Sequence, residues 1–192
     1  MFKKPVGYDE ASAGGGFVQL DTGGHYLMIK AVNQTTSRGG LAMLEIMYDT
    51  IAPDKQPGFF ANDWQGRKDR DGAKWQGRSF IVLPDNYQPT DDRYKWSTQS
   101  LKAFITSVER SNNFFTFDWN PISLHGKKVG GCFGEEEYLN QDGEVRTSVR
   151  HRWWCSWDEV PKQQIPKVKE LPASQKPVAP PPDTSSELPF EL

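Results

Sequence analysis

The sequence predicts a mostly β domain: a five-stranded barrel with one α-helix between strands 3 and 4, followed by a disordered proline-rich tail. Three observations predict it. Five strand-like runs are separated by turn residues, and one stretch alone keeps a clear amphipathic helical period. In addition, 23 of the 24 aromatic residues precede position 161, whereas eight of the 14 prolines lie from Pro161 onward. A chain of 192 residues suits one core plus a tail. The expected division is an N-terminal arm over 1–24, a folded body over 25–160 and a tail over 161–192.

The arm is polar and glycine-rich, with a short Phe17-Val18-Gln19-Leu20 piece able to pair on a sheet edge. The first strand is read from His25 to Val32 and the second from Leu41 to Asp49, joined through Thr36-Ser37-Arg38-Gly39-Gly40 as a hairpin. From Thr50 to Gly77 no period holds, and Pro53, Pro57, Gly58, Gly66 and Gly72 break regular structure, so a long loop is expected. Arg78 to Leu83 forms the third strand, stopped by Pro84. Ser97 and Thr98 then cap a helix whose Leu101, Phe104, Ile105 and Val108 share one face. Phe114, Phe115, Phe117 and Trp119 follow it and read mostly as core, while Tyr87, Tyr94 and Trp96 pack the preceding connection. The fourth strand ends near Tyr138-Leu139, turns through Asp142-Gly143, and returns as the fifth from Val145 to Trp157. This is the element order of the OB-fold, a partly open five-stranded barrel that binds oligonucleotides or oligosaccharides.

Composition narrows the function. The charged residues of the tail balance, so the body carries the net charge of −2, and any nucleic-acid surface must be a local patch. No apolar run is long enough to span a membrane and Met1 to Gly16 is no signal peptide, which predicts a cytoplasmic protein. Cys132 and Cys155 stand far apart without a CxxC, and the three histidines are scattered, so neither a metal nor another cofactor is expected. The chain carries no GxxxxGK[ST], HExxH or GxSxG motif, and the Glu135-Glu136-Glu137 run alternates faces on a strand; no enzyme is expected.

Two patches combine basic with aromatic side chains, as single-stranded nucleic acid requires: guanidinium or ammonium groups for phosphates, and ring faces for bases. On the fifth strand, period-two alternation puts Arg146, Ser148, Arg150, Arg152 and Trp154 on an exposed face, with Val149, His151, Trp153 and Cys155 inward. With Asp142-Gly143 as a two-residue turn, Arg150 would oppose Glu135, Ser148 would oppose Glu137, and Cys132 would oppose Trp153, diagonal to Cys155. An arginine here could instead neutralise the facing glutamates. Those cysteines read as neighbouring core thiols without a disulfide. The second patch is the long loop, where Phe59, Phe60, Trp64, Arg67, Lys68, Arg70, Lys74, Trp75 and Arg78 interleave; its alternative is a lid whose Trp64 and Trp75 plug one barrel end. Arg38, at the first hairpin tip, could reach a phosphate or stay solvated.

The chain ends in Asp183-Thr-Ser-Ser-Glu187-Leu188-Pro189-Phe190-Glu-Leu192, a short apolar tip among acids. It resembles the C-terminal peptide of bacterial and phage single-stranded DNA-binding proteins, which docks in pockets of replication and repair enzymes. The stretch from Leu101 to Glu137, with Leu124-His-Gly-Lys-Lys-Val-Gly and Phe133-Gly-Glu-Glu-Glu-Tyr138, is similar to phage and prophage proteins of the same kind. The resemblance implies an OB-fold body that binds and protects single-stranded DNA with little sequence preference during replication and recombination in a bacterial host. It also implies that Asp183, Glu187, Leu188, Pro189 and Phe190 recruit replication or recombination proteins. Self-association into a homo-oligomer stays open. The alternatives are an adaptor acting through its tail and a carbohydrate-binding module using the seven Trp.

Overall fold

A computed structural model of the protein describes residues 18–175. Its strands are β1 (Gly23–Thr36), β2 (Ala42–Thr50), β3 (Arg78–Val82), β4 (Lys128–Leu139) and β5 (Val145–Cys155). They form one sheet in the order β3-β2-β1-β4-β5, with every ladder antiparallel. Among the described residues β3 and β5 are the two edges, so the sheet is open where a closed barrel was expected. Alternation sets its inner face: Leu27 and Ile29 of β1, Ile46 and Tyr48 of β2, Ile81 of β3, and Val129 and Phe133 of β4 are buried together. The helix α2 (Asp92–Ser111) covers this face with Phe104 and Val108, while Leu101 and Ile105 lie against the same core. The expected apolar stripe is therefore the one that packs.

The start of α2 differs from expectation. Asp91 caps the helix by accepting from Arg93 N at 2.8 Å, and Ser97 is buried inside the helix. The cap signal nearest the apolar run was overridden by an earlier acid.

A larger difference is a second helix, α1 (Phe59–Arg67), within the expected loop between β2 and β3. Helix starts leave N–H groups without partners, and these are normally satisfied by a side chain just upstream. Here they are satisfied from the end of β2. Asp49 accepts from Phe60 N at 2.9 Å and Thr50 Oγ1 accepts from Phe59 N at 2.9 Å. Burial raises the Asp49 carboxyl above its ordinary range, partly offset by the backbone N–H groups of Phe60, Ala61 and Thr50. Asp49→Ala should therefore destabilise the fold by about 1–3 kcal/mol in urea unfolding, with Asp49→Asn milder because it keeps an acceptor.

Packing continues beyond residue 160. Ser156 and Glu159 form a capping box that turns the chain after β5, and Val160 is buried. The segment then follows the edge of β4 left open beyond its pairing with β1. Lys169 N donates to Glu135 O and Glu137 N donates to Lys169 O, both at 2.9 Å, giving a parallel bridge. Pro166 lies over Gly134, where an added Cβ would come within 2.9 Å of the proline ring. This part of the expected linker thus packs along β4 through a single parallel bridge.

Candidate nucleic-acid interface

The face assignments on β5 are corrected by one residue. His151 opposes Phe133 and Trp153 opposes Cys132, so Arg152 is an extra residue in a β-bulge. A bulge shifts the alternation by one position. Before it, Val149 packs on the core as expected; after it, Trp154 does, its ring 4.9 Å from Phe104 and 4.0 Å from His151. Trp153 instead turns outward, 42% exposed, and donates from Nε1 to Gln163 Oε1 at 2.8 Å. Trp154 therefore leaves the exposed face. Arg152 is half-buried, with its Nη1 enclosed and without a hydrogen-bond partner among the described residues.

The outer half of the hairpin is also offset. Arg150 opposes Gly134 and Ser148 opposes Glu136, because the connection spans residues 140–144 rather than two residues. Asn140 organises it, its Oδ1 accepting from Asp142 N and Glu144 N, with Gly143 at φ 77°. Arg146 pairs with Glu144 at 2.6 Å, while Arg150 is exposed and makes no ion pair among the described residues. The expected Cys132–Trp153 pairing holds past the bulge. Cys132 and Cys155 are buried and free; burial pushes their thiols up to about 11 and about 12 respectively, so both stay protonated.

Trp75 fits the lid alternative. Its Nε1 donates to the carbonyl oxygens of Tyr48 at 3.1 Å and Gly77 at 3.0 Å, and its ring packs on the core and lies 6.4 Å from Trp64. The basic residues of this segment stay outside. Arg67, Arg70, Lys74 and Arg78 surround a concavity of about 280 Å³, with Lys68 exposed off it. Arg67 binds Asp63 through Nε at 2.8 Å and through Nη2, while Arg70 and Lys74 have no ion pair among the described residues.

Arg78 links this concavity to the outer face of β3. It reaches Glu45 Oε1 at 3.2 Å and lies over the Phe80 ring at 5.5 Å. Phe80 is 47% exposed, because Ser79 and Ile81 on either side point to the inner face. Sequence reasoning missed it by reading this stretch as a strand without separating its two faces. The available signal was the period of two.

A second concavity of about 410 Å³ adjoins the first, since Arg67 and Gln76 line both. It lies between α1 and the outer edge of β5, and is lined also by Leu20, Phe59, Tyr138 and the run Thr147 to Arg150. The fold therefore brings Arg150 together with the Arg67–Arg78 cluster, joining residues from both sequence patches. Arg38 remains exposed on the β1–β2 turn and lines neither concavity.

Beyond this region, Phe115 and Phe117 pack against the core as expected, but Phe114 and Trp119 do not. Both hold positive φ, at 61° and 62°, and Phe114 is fully exposed while Trp119 is 75% exposed. Among the described residues no cluster of three or more His, Cys, Asp or Glu could hold a metal, and no helix is long and apolar enough to cross a membrane. The partner-binding candidates Asp183, Glu187, Leu188, Pro189 and Phe190 lie outside the described residues. No family model matches the chain. It is similar to a protein of Ostreid herpesvirus 1 (isolate France), "Uncharacterized protein ORF29", with 31% identity over 67 residues, covering 35% of this chain and 31% of the relative. The match thus spans about a third of the relative's length.

Proposed function

We propose that the protein binds single-stranded DNA with little sequence preference along the two adjoining concavities, in the setting of phage replication, recombination and repair. The observation that carries this reading is the convergence of Arg67, Arg70, Lys74, Arg78 and Arg150 beside the exposed Phe80 and Tyr138 rings. Asp63 and Glu45 are already engaged by Arg67 and Arg78, so the remaining basic groups face solvent with their charge available. Phosphates would meet Arg70, Lys74 and Arg150. Bases would stack on Phe80 and Tyr138, an interaction tolerant of sequence because every base has a π-face.

The strand order supports an OB-fold reading. β3-β2-β1-β4-β5, with α2 between β3 and β4, is the order of that barrel opened between its third and fifth strands. Such a body binds oligonucleotides on the face of its second and third strands and the flanking loops, and Arg78 and Phe80 stand on the third strand here. The acidic tip, with Leu188, Pro189 and Phe190, would recruit replication or recombination enzymes.

Titration of labelled oligothymidine and a matched duplex, followed by fluorescence anisotropy at low and moderate salt, tests the reading. The single strand should bind more tightly, with log K falling by about 0.7 per phosphate contacted for each tenfold rise in salt. Phe80→Ala should weaken binding by about 1–3 kcal/mol without changing that slope. No binding at low salt would sink the DNA reading and direct attention to the tail.

A further inference from the structure

Two aromatic rings leave the core where the chain passes from α2 to β4. Phe114 and Trp119 both hold the left-handed backbone conformation, which bulky side chains seldom adopt, and both rings are exposed. The loop that carries them is nevertheless tied down along its length. Asn112 bridges to the start of β4, donating from Nδ2 to Lys128 O at 2.8 Å and accepting from Lys128 N at 3.0 Å. Glu109 accepts from Phe117 N at 2.9 Å, and Asp118 accepts from Ser123 Oγ at 2.7 Å and from Asn120 N at 3.1 Å. These bonds fix a backbone that keeps the two rings in water.

Cations border the rings. Lys127 lies 4.3 Å over the Phe115 ring and Lys128 lies 5.1 Å over that of Trp157, and neither makes an ion pair among the described residues. Exposed rings beside unpaired ammonium groups are the combination that single-stranded nucleic acid requires. A protein-docking face would set such rings in a continuous apolar patch, whereas exposed Asn113, Thr116, Asp118 and Asn120 stand among them here. The loop is also apart from the groove. Neither the rings nor the two lysines line either concavity, and from Lys128, the first residue of β4, to Tyr138 on the groove the strand rises about 30 Å.

We propose that Phe114 and Trp119, with Lys127 and Lys128, form a second single-strand contact, reached only by a strand long enough to leave the groove and cross to it. This rests on the DNA-binding reading above. At about 3.4 Å per stacked nucleotide, the crossing takes about nine nucleotides.

Oligothymidines of about five and about thirty nucleotides therefore separate the two contacts. Trp119→Ala should weaken binding of the long strand about tenfold while leaving the short strand and thermal unfolding unchanged. Lys127→Gln/Lys128→Gln should make the salt slope shallower by about 1.4 with the long strand alone. Long-strand binding by both variants that equals the parent's would overturn the second contact and leave the groove standing. If that affinity is kept but Trp119→Ala changes the sedimentation of the free protein, the ring belongs to a protein interface and the proposal fails. Absence of binding to either strand by the full chain would overturn the second contact together with the reading beneath it.

Discussion

Replacing Arg70, Lys74 and Arg150 together by glutamine is expected to weaken oligothymidine binding about a hundredfold at moderate salt while leaving thermal stability almost unchanged. The three residues are exposed and make no ion pair among the described residues, so their loss removes no structural contact and leaves no carboxylate stranded. Each charge-assisted phosphate contact, weakened by solvent screening, contributes roughly 1 kcal/mol, and three of them give about two orders of magnitude. The salt slope should fall in step, by about 2, because three fewer counterions are released. A Trp154→Phe variant serves as the contrast. Its packing against Phe104 and His151 predicts lost stability with the slope preserved. Anisotropy titrations at several salt concentrations, paired with thermal unfolding, separate the two outcomes. An unchanged slope in the triple variant would remove the groove from the account.

The second large effect is in acid. His151 is enclosed by Tyr48, Phe133 and Trp154, and its Nε2 has no hydrogen-bond partner among the described residues. Burial in this cage pushes the imidazole down to about 3. The unfolded chain binds a proton at this residue from about pH 6.5 downward, whereas the native state refuses it until about pH 3. The unfolded state therefore holds more protons in that window, and stability falls as pH falls. From pH 7.5 to 5.0 the loss attributable to His151 is about 2 kcal/mol, most of it below pH 6.5. His151→Phe should abolish this component of the pH dependence. Urea unfolding of both proteins at the two pH values measures the difference directly. Asp54, held below the ordinary carboxyl range despite its burial by His25 and the backbone N–H groups of Gln56 and Tyr26, loses its own contribution only at more acid pH and does so in both proteins.

Much of the architecture was legible because its signals are local. The strands and the apolar stripe of α2 followed from period and turn residues, and the packing of Leu101, Phe104, Ile105 and Val108 agrees. What escaped depended on distant partners. No residue beside Phe59 announces a helix, since the groups that cap α1 sit on Asp49 and Thr50 at the end of the previous strand. The inward turn of Trp154 depended on one extra residue, Arg152, that alternation cannot register. Among site residues, the basic composition of the loop was visible, but its meeting with Arg150 around Arg67 and Gln76 requires the fold. Phe80 was readable and was overlooked, because a short apolar run fits a fully buried strand as well as a half-exposed one.

The seat of Pro166 on Gly134 and the parallel bridge at Lys169 have a practical meaning for the size of the minimal folding unit. Composition alone suggests cutting the chain at Pro161. That cut would strip the covering segment from β4, bare the backbone of Glu135 and Glu137, and uncover the side of Cys132 that faces Gln164. An unprotected strand edge of this kind recruits neighbouring chains. The shortest well-behaved body therefore ends beyond Leu171, whose N–H reaches Glu137 Oε2 at 3.0 Å, and a shorter one would invite self-pairing that could be mistaken for native oligomerisation.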